Sequence, residues 1–243
     1  MLQLFKMALK QIIYNNKSFN ISYEIINQSC KNTIIFLHGW GSNKEIMKQA
    51  FCQYLPNLQH IYIDMPGFGN SSNDYILTTK NYSDIIQKFI DQTFLTNNIK
   101  TIVGHSFGGK IATLLHPKIL VLLSSAGIIE TKSTKTLLTI RMAKIFNRFG
   151  LGKINKLLRS KDVNKMSENM YETFKNVVDE DFSKSFQEYA GDTLIFWGKE
   201  DNATTLSSGY TIHKLINNSK FKAYNGDHYF FLKFAKDIVR YIE

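Results

Sequence analysis

The sequence predicts an α/β fold: a mostly parallel sheet with helices on both faces, interrupted by one helical insertion. Three observations carry this. Short strand-like runs alternate with helix-periodic segments from residue 19 to the end of the chain. Several runs, such as Thr33–Leu37 (TIIFL), are continuously apolar, which suits strands buried on both faces. Residues 129–190 break the alternation, with helical periodicity and no strand.

Phe19–Ile26 alternates and is rich in β-formers, so it reads as a strand. Thr33–Leu37 follows as a buried strand, and Glu45–Leu55 as a helix stopped by Pro56. Gln59–Ile63 is a strand that runs into the turn-rich stretch Asp64-Met-Pro-Gly-Phe-Gly-Asn-Ser71. Over residues 79–96, Tyr82, Ile85, Ile86, Phe89, Ile90 and Phe94 fall on one side of a helix. Ile99–Val103 is a strand, Phe107–Leu115 a helix and Ile119–Leu123 a strand. Beyond the insertion, strands at Thr193–Trp197 and Lys220–Tyr224 flank a helix at Leu206–Ile216. Phe230–Ile242 closes the chain as an amphipathic helix.

At 243 residues this is one domain with a large core: residues 1–128 and 191–243, with the insertion at 129–190 between them. A hydrophobic fraction of 44% excludes a disordered chain. Two cysteines, Cys30 and Cys52, are too few for a disulfide framework or a Cys-rich zinc site. No apolar run is long enough to span a bilayer, and lysines at 6 and 10 interrupt any signal-peptide core. The expectation is a cytoplasmic protein without a transmembrane segment.

Gly104-His105-Ser106-Phe107-Gly108 sits where a strand meets a helix. That join is a sharp turn that presents a serine hydroxyl above the sheet edge. The N–H groups that follow, beginning with Phe107, lie at a helix N-terminus, where an oxyanion is stabilised. A serine needs a base. Of His38, His60, His105, His116, His213 and His228, only His228 lies in a loop after a late strand. His60 and His213 read as packing or surface residues, and His105 as a residue that shapes the pocket or packs behind the turn rather than a base. The carboxylate that orients the base is Asp201, with Glu200 and Asp227 as local rivals. The chain order Ser106, Asp201, His228 is that of one particular triad fold.

With these motifs the chain resembles the α/β-hydrolase superfamily over nearly its whole length. His38-Gly39-Trp40-Gly41 resembles the superfamily's oxyanion loop, and Asp64 to Ser71 its D-x-P-G-x-G-x-S stretch. Ser106 matches the nucleophile elbow, Gly198-x-x-Asp201 the acid loop and Gly226-Asp227-His228 the histidine loop. The resemblance implies an α/β-hydrolase fold whose insertion is a helical cap, and a Ser-His-Asp hydrolase without metal or organic cofactor. It implies that the backbone N–H groups of Trp40 and Phe107 form the oxyanion hole, with His38 bracing that loop. A serine nucleophile argues against dehalogenases and epoxide hydrolases, which use aspartate. Members with His-Gly-Trp-Gly include carboxylesterases of the pimeloyl-acyl-carrier methyl ester esterase type. The expected substrate is therefore a carboxylic ester or thioester. The alternatives are a C–C bond hydrolase of the 2-hydroxy-6-oxo-dienoate type and a catalytically silent fold used for binding.

Charge is concentrated in the insertion. The formal net charge is +10, yet residues 132–161 hold nine Lys and Arg and no Asp or Glu, so the rest is nearly balanced. Leu138, Met142, Ile145 and Phe149 share one helix face, with Arg141, Lys144 and Arg148 on its flank. Three uses compete: a solvated cap surface, a docking surface for an acidic acyl carrier or coenzyme A, and a membrane or nucleic-acid surface. No nucleic-acid motif accompanies the segment, so nucleic acid is not expected as a partner.

Overall fold

The structure, a computed structural model, describes residues 6–94, 98–129 and 166–242. Its eight strands are β1 (Lys6–Tyr14), β2 (Lys17–Ile26), β3 (Asn32–Leu37), β4 (Gln59–Ile63), β5 (Asn98–His105), β6 (Ile119–Leu123), β7 (Asp192–Gly198) and β8 (Ser219–Tyr224). They form one sheet in the order β1-β2-β4-β3-β5-β6-β7-β8. The pairs β1/β2 and β2/β4 are antiparallel and the other five are parallel.

The helices described are α1 (Lys44–Phe51), α2 (Thr79–Thr93), α3 (Phe107–Leu114), α4 (Glu168–Val178), α5 (Ser183–Glu188), α6 (Leu206–Leu215) and α7 (Phe231–Val239). Successive side chains of the parallel strands go to opposite faces, and both faces are dry. Ile35, Leu37, Ile102 and Ile195 join a core with Ile85, Ile86 and Phe89 of α2 and Ile111 of α3. Their neighbours Ile34, Phe36, Val103 and Phe196 join a second core with Phe51 of α1 and Phe231 and Ile238 of α7. That is why these strands read as unbroken apolar runs. In the described part of the insertion, α4 and α5 lie between β6 and β7, and Phe186 is fully buried against the α2–α3 face. Among the described residues no helix is long and apolar enough to cross a membrane.

Two expectations are corrected and one strand is added. Lys6–Tyr14, not read as a strand, is the outer strand of a hairpin with β2. Its two-residue loop, Asn15-Asn16, has φ of 49° and 59°, the mirror-image turn that matches strand twist. The first helix ends at Phe51, because Leu55 precedes Pro56 and turns out to φ 55°. The second ends at Thr93, where Phe94 leaves helical geometry at φ −126°.

One buried ion pair ties the first half of the sheet together. Lys44 Nζ and Asp64 Oδ2 lie 2.7 Å apart, with both side chains almost wholly enclosed. Asp64 also accepts from the N–H groups of Lys44 and Asn70, which fixes the start of α1 against the loop after β4. Removing one partner of such a pair strands the other charge. Asp64→Asn should therefore cost about 3 kcal/mol in a urea titration, and Lys44→Met should cost less in that background than alone.

Candidate active site

The strand order locates the site. From β3 the chain crosses to β4 on one side, then returns past β3 to β5 on the other. A crevice opens where connections diverge, at the carboxyl ends of β3 and β5. The loop after β3 carries Gly39 and Trp40, and the turn after β5 carries Ser106.

Ser106 joins β5 to α3 at φ 51° and ψ −115°, a conformation that costs a non-glycine residue roughly 1–3 kcal/mol. Its hydroxyl makes no capping bond to α3. The turn is this tight because α3 packs against backbone. A Cβ on Gly108 would lie 2.6 Å from the carbonyl oxygens of Leu37 and His38. Across the crevice, a Cβ on Gly39 would lie 3.1 Å from Ser106 Cβ and 3.0 Å from His105 Nδ1, so the β3 loop closes onto the serine.

His228 follows β8 and Asp201 follows β7, as their motifs require. His228 Nδ1–H donates to Asp201 Oδ2 at 2.7 Å. The carboxylate can only accept, so Nδ1 carries the hydrogen, and in the neutral imidazole the lone pair is then on Nε2. Of the rival carboxylates, Asp227 accepts instead from the N–H of Tyr229. Asp201 also accepts from the N–H groups of Ala203 and Thr204, and Thr204 Oγ1 lies 3.0 Å from it. Burial pushes this carboxyl up, but the bonds from His228, Thr204 and Ser124 outweigh it and hold the group at about 2.

The structure puts Gly39, Trp40, Ser106, Phe107 and His228 around one cavity of about 690 Å³. Ile128, Phe174, Val177 and Val178 supply apolar wall, the last three from α4. Trp40 meets Phe68 and Phe107 edge to face and also contacts Phe174. His38 is fully buried: Nδ1–H donates to Gly39 O and Nε2 accepts from Met65 N, which braces the β3 loop. Arg141, Lys144 and Arg148 lie outside the described residues. Among those described, no cluster of His, Cys, Asp or Glu could hold a metal ion.

Sequence reasoning left two kinds of group unread. Thr204 and Ser124 anchor Asp201; a threonine three residues past an aspartate is a turn signal, whereas nothing local marks Ser124. His105 lines the cavity, as one of its two readings had it, but its bond to the His228 loop was not foreseen. β8 lies three strands from β5, about 14 Å at about 4.8 Å per strand. His105 Nε2–H spans the remaining gap by donating to His228 O at 3.0 Å, with the two rings 4.5 Å apart.

Known proteins agree with this fold. The profile of the Alpha/beta hydrolase family matches residues 34–210, most of the chain, and the protein belongs to that family. An esterase from Exiguobacterium antarcticum superposes with a TM-score of 0.74 at 22% identity, over 96% of this chain and 98% of that one. A Mycoplasma genitalium protein carried under the name esterase/lipase 2 is 30% identical over 137 residues, 55% of this chain and 50% of its own length. The pimeloyl-[acyl-carrier protein] methyl ester esterase of Edwardsiella ictaluri is 30% identical over 91 residues, 36% of this chain and 33% of its own. The chain thus spans half or less of the length of these curated relatives.

Two outcomes follow from the site's strain and burial. Ser106→Gly relieves the backbone and should raise unfolding free energy by about 1 kcal/mol in urea, after glycine's own entropy cost. Burial holds His38 at about 4 and, with His228 beside it, His105 at about 3. Both are neutral in the fold and titrate near 6.5 when exposed. The unfolded chain therefore binds protons first, and stability falls as pH drops from about 6.5 toward those lower values. Thermal midpoints between pH 7 and 4 should show this fall, and His105→Phe should make it shallower.

Proposed function

We propose that this protein is a serine hydrolase of carboxylic esters or thioesters. Ser106 is the nucleophile, His228 the general base, Asp201 its orienting carboxylate, and the N–H groups of Trp40 and Phe107 the oxyanion hole. The observation that carries this is the 2.7 Å bond between His228 Nδ1 and Asp201, with Ser106 and His228 on one cavity. It fixes the tautomer in which Nε2 can take a proton.

In the reaction, His228 Nε2 takes the Ser106 proton as Oγ adds to the acyl carbon. The carbonyl oxygen becomes an oxyanion opposite the two N–H groups. His228 then gives its proton to the departing alcohol or thiol, leaving an acyl-enzyme. Water repeats the sequence: His228 takes its proton, the tetrahedral species collapses, and Ser106 regains a hydrogen as the acid departs. Asp201 stays ionised throughout, stabilising the imidazolium.

The apolar wall from Ile128, Phe174 and Val177 supports an aliphatic or aromatic acyl group as ligand. The same residues support reading 129–190 as a cap, since Phe174 and Val177 reach the cavity from it. The esterase names of several relatives favour an ester over a C–C substrate.

A fluorophosphonate probe should label wild-type protein and leave Ser106→Ala unlabelled. Absence of wild-type labelling would instead favour a silent fold that binds without turnover. Asp201→Asn should lower kcat/KM by about 10⁴-fold, with the protein still folded, since it favours the wrong tautomer. A panel of p-nitrophenyl esters beside coenzyme A and acyl-carrier thioesters assigns the leaving group.

A further inference from the structure

Lys110 of α3 is 1% exposed, and nothing in the proposed chemistry uses it. Its ammonium donates to Val177 O at 2.8 Å and pairs with Glu180 Oε2 at 2.7 Å. It lies 5.1 Å from the ring centre of Phe182 and 5.9 Å from that of Phe107. Glu180 also accepts from Thr79 Oγ1, at the start of α2.

The position of this lysine is informative. Val177 is the penultimate residue of α4, where carbonyls lack donors within their own helix. A cation there meets both the free carbonyl and the negative end of the helix dipole. Lys110 therefore caps α4 from a neighbouring helix, the one that begins just after Ser106. The stretch it grips, residues 177–180, lines the cavity. Apolar contacts from Val177 and Phe182 hold the same stretch but are non-directional and permit sliding. Two charge-assisted bonds fix it in one place.

We propose that Lys110, Glu180 and Thr79 form a clamp that sets the distance between the 177–180 wall and Ser106, and so the length of acyl group accepted. The proposal rests on the ester-hydrolase reading. Lys110 is in these terms a positioning residue: it touches the wall and leaves the reacting atoms to others.

The test compares Lys110→Met with wild type on p-nitrophenyl acetate, butyrate and octanoate. Acetate fits whatever the wall does, so its kcat/KM should stay within about threefold. The octanoate-to-butyrate ratio of kcat/KM should rise at least about tenfold, mainly through KM, the scale on which a hydrophobic pocket reads chain length. An unchanged ratio, or an equal loss on all three esters, overturns the clamp and leaves Lys110 a role in stability alone. Should Lys110→Met fail to fold, Thr79→Val removes one bond at constant volume and must shift the ratio in the same direction; an unshifted ratio overturns the clamp. A wild-type protein that hydrolyses none of the three esters overturns this proposal, and if the fluorophosphonate probe also fails to label it, the hydrolase reading with it. Wild-type hydrolysis with an unshifted ratio in the variants overturns the clamp alone.

Discussion

The site depends on one close approach of backbone to backbone. α3 starts immediately after β5 and lies so near the end of β3 that Gly108 leaves no room for a side chain. A helix placed there forces the preceding residue out of ordinary geometry, and Ser106 takes that strain. The same approach sets the first turn of α3, beginning with Phe107, beside the loop carrying Trp40. A looser packing would relax the serine and open the crevice together. The energy for the arrangement comes from the two apolar cores on either side of the sheet.

Burial gives three neighbouring imidazoles different lives. His38 and His105 are enclosed, so desolvation holds them neutral and each acts as a fixed hydrogen-bonding part. His228 has its Nδ1 committed to a saturated carboxylate and its other edge on the cavity. The group best placed to exchange protons thus sits beside one that does not. His105 couples to it mechanically, through a carbonyl, and electrostatically, through a ring kept uncharged.

Much of this was legible in the sequence because the signals were local. The elbow glycines, the Asp201 loop and the His228 loop each announce themselves within a few residues, and strand-helix alternation supplies their order. The outer hairpin strand was missed because an Asn-Asn turn is a weaker mark than Asn-Gly, and β1 alternates on a sheet edge without a buried partner beyond it. Lys110 and Glu180 were illegible for a different reason. Their meeting links residues 70 positions apart through three helices, and a lysine in a helix pattern reads as surface until the fold covers it. Ser124 is the same case on a smaller scale: its value lies in meeting Asp201 across the β6–β7 pair.

The open-edged sheet has a bearing on how this molecule behaves in a crowd. Among the described residues both outer strands, β1 and β8, have a neighbouring strand on one side only, and β1 also bares Leu9 and Ile13. Such an edge is a template on which a second chain could grow a strand. Lysines occupy both borders, Lys10 on β1 and Lys220 and Lys222 on β8, with Lys222 moored to Asp237. Two like edges approaching each other must bring these ammonium groups together and strip their water. The lysines on these two strands thus place positive charge where a second copy would have to pair, and desolvating them opposes such pairing.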